Sequence, residues 1–155
     1  LVVISDSAQA IGSKIGNKFS GTVAHVGGFS LNYHKHINTG EGGIIVTNKK
    51  NIYKKLCLIR NHGEAVVKSN KNKDLINIIG HNFRLGEIEA AIGIIQLRKL
   101  KKIFNQKCMI AKNLMQHLKK LPHLKLPVIK NNYTHAFYIF GMTLDLKKIK
   151  RPRRK

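Results

Sequence analysis

The longest regular pattern in the chain is a set of apolar residues that recurs about every three or four positions between residues 85 and 121. This spacing places the apolar side chains on one face of an α-helix, so we expect one long helix or two joined helices here. Pro122 and Pro127 follow and end the pattern, because proline cannot continue a helix. A helix with one apolar face has to pack against another layer of structure.

Short apolar segments upstream predict that layer. Residues 1–4 form a continuous, mostly β-branched run that is stopped by polar residues, which is typical of a buried parallel strand. Residues 27–31 and 42–47 predict two further strands, with a polar loop between them and a helix at about 49–60. This order predicts an α/β fold, in which ligands bind just beyond the strand ends.

The remaining segments predict a second, smaller unit. Residues 64–77 are polar and predict a mobile loop, and residues 133–144 alternate enough to predict a strand. Prolines and polar residues make 122–132 the expected boundary. We therefore predict a larger unit at residues 1–121, which includes the long helix, and the start of a smaller one at 122–155.

Charge suggests an anionic partner, but its distribution argues against nucleic acid as the primary one. The chain has 29 Lys and Arg against 7 Asp and Glu, a formal net charge of +22. The lysines are scattered as pairs, aromatic residues do not interleave with them, and no zinc-finger spacing occurs. The basic tail at 147–155 is the best evidence for such binding. No apolar run approaches the roughly 20 residues that span a bilayer.

The cysteines and histidines do not predict a disulfide scaffold or a metal site. Two cysteines in 155 residues indicate a reducing, cytoplasmic setting, and Cys57 is expected in the core. His34 and His36 flank Lys35 at a spacing of two, without a nearby third ligand.

Lys35 and Asp6 are the side chains best placed for chemistry. Lys35 lies in a glycine-bounded loop after a predicted strand, where partial withdrawal from water would favour a nucleophilic amine. Asp6 follows the first strand, and Gln9 three residues later would face the same pocket. Two plainer interpretations stay open at this point: Lys35 as a solvated surface residue, and Asp6 as the cap of a helix starting near Ala8.

Five segments, in order and with matching spacing, resemble the DegT/DnrJ/StrS family of pyridoxal-phosphate-dependent nucleotide-sugar aminotransferases. They are DSAQA at residues 6–10, FSLNYHK at 29–35, TGEGG at 39–43, RNHG at 60–63 and GHNFRL at 80–85. The resemblance extends into the predicted long helix and covers residues 1 to about 146. It implies a fold-type-I architecture similar to aspartate aminotransferase, with a mostly parallel sheet in a large domain and a smaller C-terminal α/β domain, each present here in part.

The resemblance also implies roles for individual residues. Lys35 would form the imine with pyridoxal phosphate and move the proton during transamination, and Asp6 would pair with the ring nitrogen. Gln9 would lie near the ring hydroxyl and Ser30 would contact the phosphate. The remaining two residues lie in a loop that crosses to the neighbouring subunit of a homodimer: Asn82, reaching the cofactor phosphate there, and Arg84, a weaker candidate for substrate contact.

The implied reaction is amino transfer, with glutamate as donor, to a keto group on a nucleotide-linked deoxysugar, for amino-sugar and surface-glycan synthesis. A related dehydratase branch carries histidine in place of the lysine. His34 precedes Lys35 by one residue, but the five-residue spacing from Ser30 supports the lysine.

Two departures from the family leave alternatives open. Family members are more than twice this long, and the part expected before residue 6 would supply a phosphate-binding turn and an aromatic residue over the ring. The segment 150–155 does not continue the family pattern. The chain could therefore be a fragment, a half-enzyme that needs a separate N-terminal part, or an inactive product whose basic surface binds anionic partners.

Overall fold

The computed structural model of the protein describes residues 1–64 and 78–148. Two helices are found in this part, α1 at Lys50–Arg60 and α2 at Glu87–Leu118. Short 3-10 turns lie at Ser20–Thr22 and Leu146–Lys148. The strands of the described residues are β1 at Ile4–Asp6, β2 at Lys14–Ile15, β3 at Lys18–Phe19, β4 at Val26–Ser30, β5 at Gly43–Val46, β6 at Leu124–Lys125 and β7 at Thr143–Leu144.

A three-stranded sheet in the order β1-β4-β5 positions the ends of the first strands beside each other. β1 runs parallel to β4 with Asp6 opposite Gly28, and β5 returns antiparallel to β4 with Gly43 opposite Ser30. The described residues thus contribute one parallel and one antiparallel pair to the sheet. Because β1 and β4 are parallel, their carboxyl ends, Asp6 and Ser30, lie at the same edge.

The prediction of a buried strand at residues 1–4 was wrong in both position and burial. The strand starts at Ile4, and Val2, Val3 and Ile4 are exposed, Ile4 to 72% of its surface. The buried cluster of the described residues, Ile11, Leu31 and Ile37, includes no residue of β1, so the side chains on the faces of this strand have little to pack against.

The predicted long helix is confirmed as a single helix of 32 residues, and it ends at Leu118, four residues before Pro122. Its first turn carries Glu87 and Glu89, which complement the positive end of the helix dipole. Leu100 and Ile103 on its inner face pack against the most buried cluster, formed by Ile11, Leu31 and Ile37. Burial of such side chains contributes about 1.5–3 kcal/mol each, so this contact holds α2 against the strand ends.

The predicted strand at 133–144 was largely wrong. Only Thr143–Leu144 is a strand, and it pairs with Leu124–Lys125. The reason is backbone geometry: Phe137, inside the predicted strand, has a φ angle of 49°, which an extended strand does not contain. Residues 133–136 instead run beside β2, with Tyr133 bridged to Ile15 and the Thr134 N–H donating to the Lys14 carbonyl at 2.9 Å.

Some predictions fall outside the described residues: nearly all of the loop at 64–77, and the tail beyond Lys148. In the part that the structure describes, no helix is long and apolar enough to cross a bilayer.

Candidate active site

Lys35 lies at the tip of a loop whose two flanks are anchored in the core. Leu31 and Ile37 on either side of it are 2% and 1% exposed. The loop is closed by the Thr39 N–H, which donates to the Leu31 carbonyl at 3.0 Å, and the Lys35 N–H donates to Asn32 at 2.9 Å. Lys35 is therefore a half-buried side chain on a fixed loop, which removes the interpretation of a freely solvated lysine.

Polar contacts fix the strand end beside this loop. The Asn32 N–H donates to Ser30 Oγ at 3.2 Å, and Asn32 Nδ2 donates to Glu41 Oε1 at 2.7 Å. The Ser30 hydroxyl accepts in this contact and keeps its own proton for another acceptor. Ser30 thus ends β4 with a donor available at the sheet edge.

Asp6 ends β1 and orders the turn that follows it. Its Oδ1 accepts the Ala8 N–H at 3.1 Å. No helix starts near Ala8, where the chain forms turns up to Gly12, so the helix-cap interpretation was wrong. Asp6 makes an Asx-type turn, which aspartate forms when its side chain bonds the backbone two residues on.

An open cavity of about 790 Å³ lies against these turns and strand ends. Asp6 and Gln9 line one side of it, and Tyr133, His135 and Tyr138 line the other. Lys35 reaches this second wall, since its Nζ lies 4.6 Å from the centre of the Tyr138 ring. The structure thus places Asp6 and Gln9 on the cavity and Lys35 on the ring of Tyr138, which lines the same cavity; Lys35 itself is not among the described residues that line it.

Sequence reasoning missed the second wall. The segment is held by the Lys14 N–H, which donates to Thr134 Oγ1 at 2.7 Å, and by His36 Nε2, which lies 2.7 Å from the Ala136 carbonyl oxygen. These partners are 120 and 100 residues apart in sequence, so no local pattern reveals them. The one local signal was the aromatic run from His135 to Phe140 in a chain with only 6% aromatic residues.

Asn82 and Arg84 lie beside the end of α1. Arg84 Nη1 donates to Asn61 Oδ1 at 2.8 Å, and Asn82 forms an isolated β-bridge with Asn61. Neither residue lines the cavity with Asp6 and Gln9. Their backbone is tied to α1 by the Phe83 N–H, which donates to the Arg60 carbonyl at 3.0 Å.

Comparison with known proteins identifies the family to which the chain belongs. The profile of the DegT/DnrJ/EryC1/StrS aminotransferase family matches residues 1–154. The chain belongs to this family. Among curated members, it is 42% identical over 99 residues to the UDP-4-amino-4,6-dideoxy-N-acetyl-beta-L-altrosamine transaminase of Helicobacter pylori, covering 64% of this chain and 26% of that protein. It is 39% identical over 111 residues to the GDP-perosamine synthase of Escherichia coli O157:H7, covering 72% and 29%.

A solved family structure confirms the fold prediction. The Helicobacter pylori aminotransferase PseC, which takes part in pseudoaminic acid biosynthesis, superposes with a TM-score of 0.83 at 32% identity, covering 95% of this chain and 39% of PseC. The chain has part of the fold-type-I architecture of these DegT-family enzymes. It spans between about a quarter and two fifths of the length of these relatives.

Within residues 1–64 and 78–148 of this family member, no group of three His, Cys, Asp or Glu side chains is placed to hold a metal ion. Cys57 and Cys108 are free thiols and both are half-buried, so Cys57 lies at the edge of the core rather than inside it. Burial raises the pKa of the Cys108 thiol, and nearby Lys112 lowers it by less.

His36 is buried behind the lysine loop, and its pKa is lowered from the ordinary value of 6.5. Burial is the main cause; the contact with Ala136 acts in the opposite direction, and the charge of Lys107 lowers the pKa further. Since the folded protein holds this ring neutral, its contribution to stability is complete above about pH 6.5 and is lost as the pH falls towards the folded-state pKa.

We therefore expect the free energy of unfolding to fall between pH 7 and pH 5, and to fall less in His36→Gln, whose amide keeps a donor but does not titrate. Denaturant unfolding of both proteins at each pH measures this. Equal pH dependence in the two proteins would contradict the assignment of a lowered pKa to His36.

Proposed function

We propose that the protein is a pyridoxal-phosphate-dependent aminotransferase that transfers an amino group, with glutamate as donor, to the keto group of a nucleotide-linked deoxysugar. The observation that carries the proposal is the position of Lys35. It is a lysine on a loop anchored in the core, with its amine on the ring of Tyr138, and Tyr138 lines a cavity together with Asp6 and Gln9. Family membership and relatives named as nucleotide-sugar enzymes support the substrate class.

The residues present fit the cofactor. Gly28, opposite Asp6 in the sheet, has open space where a side chain would lie, which leaves room for a flat ring beside the carboxylate. Ser30 has a hydroxyl proton free for a phosphate oxygen. The net charge of +22 favours a phosphorylated cofactor and a nucleotide diphosphate over cationic ligands.

When bound, pyridoxal phosphate supplies an aldehyde that condenses with amines and a ring that withdraws electrons. Lys35 would hold the cofactor through its side-chain amine, and the same amine, once free, would hold and return a proton during the reaction. Asp6 would accept a hydrogen bond from the ring N–H and keep that nitrogen protonated, and Gln9 would contact the ring hydroxyl. Ser30 would donate to the phosphate.

We further propose that Asn82 serves the neighbouring subunit of a homodimer. Its position beside α1, away from the cavity of its own chain, supports this role. Arg84, on the same segment, is the candidate for substrate contact across that interface. Residues 1–121 then belong to the large cofactor-binding domain and 122–155 begin the small domain. Two free thiols are consistent with a cytoplasmic enzyme.

Mass spectrometry tests the proposal on protein purified from its native source, incubated with pyridoxal phosphate and reduced with borohydride. We expect a reduced cofactor adduct on the peptide that contains Lys35. An adduct that forms only with a separately encoded partner present indicates a half-enzyme. No adduct under any condition, with salt-sensitive retention on heparin, would overturn the proposal in favour of an inactive chain with a basic binding surface.

Replacement of Asp6 by asparagine separates attachment from catalysis. The amide keeps an oxygen for the Ala8 N–H but no longer stabilises a protonated ring nitrogen. We expect the Lys35 adduct to persist while kcat falls by about 10²-fold or more. The control is Asp145→Asn, the same chemical change at a residue that pairs with Lys148 at 3.9 Å, and kcat should not change there. Equal kcat in both variants would remove Asp6 from the mechanism.

A further inference from the structure

The ring of Tyr138 beneath the Lys35 amine is held in place by a short, unusual stretch of backbone. Phe137, one residue earlier, has a φ of 49°, a conformation that bulky residues rarely adopt. Its N–H donates to Nδ1 of His135 at 2.8 Å, and its own ring is buried. This turn directs the chain so that Tyr138 lies on the cavity side. A contact from outside the turn is needed to keep the Tyr138 ring against the loop that carries Lys35.

His36 provides that link. It is 9% exposed, and its Nε2 lies 2.7 Å from the Ala136 carbonyl oxygen. A carbonyl oxygen only accepts, so Nε2 must carry the proton and donate. His36 is adjacent to Lys35 in sequence, and its ring centre lies 6.0 Å from that of Tyr138. One side chain therefore ties the loop that bears the amine to the segment that bears the aromatic ring.

We propose that His36 is a positioning residue for Lys35: its hydrogen bond to Ala136 holds the Tyr138 ring against the lysine amine. The inference rests on the proposed function of Lys35 and deepens it. The aromatic face attracts the ammonium and covers one side of it. His36 thereby sets how readily the amine is reached by a reagent, although His36 itself is not among the described residues that line the cavity.

The groups that face His36 are consistent with a neutral donor in this place. Lys107 approaches from α2, Lys35 is its neighbour in the loop, and Tyr138 comes from the opposite segment. Burial, and then the charge of Lys107, disfavour a charged imidazole, while the bond to Ala136 requires only the neutral Nε2–H form. The second wall also has an independent tie to α2, since Cys108 Sγ lies 3.4 Å from the His135 carbonyl oxygen.

The test measures the rate at which acetic anhydride labels Lys35 in the cofactor-free intact gene product, relative to exposed Lys102 in the same molecule. We expect Tyr138→Leu to raise the relative rate by about two- to fivefold, the equivalent of an exposed cation–π contact. His36→Phe should raise it to a similar extent, and His36→Gln, which restores an N–H donor, should return it towards the wild-type rate.

The double variant His36→Phe/Tyr138→Leu distinguishes positioning from general loosening. If His36 acts through Tyr138, the double variant labels no faster than Tyr138→Leu alone. Independent, multiplying effects, or a wild-type rate in His36→Phe, would overturn the inference. If His36→Phe does not fold, nitrogen chemical shifts of His36 in the wild-type protein decide instead: protonated Nε2 supports the bond to Ala136 and protonated Nδ1 excludes it.

Failure of this inference is separable from failure of the proposed function. Wild-type protein that gives a borohydride-reduced adduct on Lys35, with labelling unaffected by His36, retains the function and rejects the positioning role. Protein without any adduct, but with coupled labelling effects, rejects the function and retains the contact geometry.

Discussion

Lys35→Ala is expected to abolish the borohydride-reducible cofactor adduct and to lower kcat/KM for amino transfer by about 10³-fold or more. The change removes the only amine that the structure places on the Tyr138 ring at the cavity wall, within the described residues. The loop itself should persist, because its anchors are the buried Leu31 and Ile37 and the bond between Thr39 and Leu31. We therefore expect Lys35→Ala to impair the reaction and not the folding of the protein.

The matched control for this variant is Lys102→Ala, which removes the same charge from an exposed position on α2. It should keep both the adduct on Lys35 and the wild-type kcat/KM. Steady-state kinetics and peptide mass spectrometry on both proteins make the comparison. Full activity in Lys35→Ala would refute the mechanism, and an adduct at a different lysine would move the active site elsewhere.

Gly27→Ala in β4 is expected to have the second large effect, a loss of stability. A Cβ at this position would overlap the carbonyl oxygen of Gly21. Backbone atoms cannot move aside as a flexible side chain does, and Gly21 is itself packed against the ring of Phe29. We expect the free energy of unfolding to fall by about 3 kcal/mol, the upper part of the range for overpacked cores.

Gly28→Ala in the same strand is the control for Gly27→Ala. A Cβ there would meet nothing within 4 Å, and the position does not need a positive φ. Both changes reduce the entropy of the unfolded chain equally, so the difference between them isolates the clash. The control should change stability by no more than about 1 kcal/mol. Chemical denaturation measures both; similar losses in the two variants would disprove the close approach of β4 to Gly21.

The parts of the fold that local patterns predicted are those whose stability comes from local geometry. The apolar repeat of α2, the strand at 43–46 and the helix α1 agree with expectation to within a few residues. The predictions that were wrong concern segments whose conformation or exposure is determined by contacts with residues distant in sequence. The exposure of β1 depends on what packs against its faces, and residues 133–141 are shaped by contacts with β2 and His36 rather than by their own alternation.

The residues of the candidate site also divide into those that local sequence patterns indicate and those that only distant contacts reveal. Asp6, Gln9 and Lys35 could be proposed because strand ends and glycine-bounded loops are visible in sequence. The structure places Asp6 and Gln9 on one cavity and Lys35 on the ring of Tyr138, which lines that cavity. The cofactor roles of these three residues, like those of Ser30 and Asn82, came from family resemblance and stay predictions. The sequence assigned no role to His36, because the Ala136 carbonyl that it contacts lies 100 residues away.

The great sequence distance between the two walls of the cavity has a consequence for biosynthesis. Lys14 meets Thr134 across 120 residues, and His36 meets Ala136 across 100. The entropy lost on closing so long a loop has to be offset before these contacts add stability, so they form late in folding. A nascent chain therefore carries Lys35 on the ribosome without the aromatic wall beside it, and under the proposed function we expect cofactor capture to follow synthesis of residues 134–138.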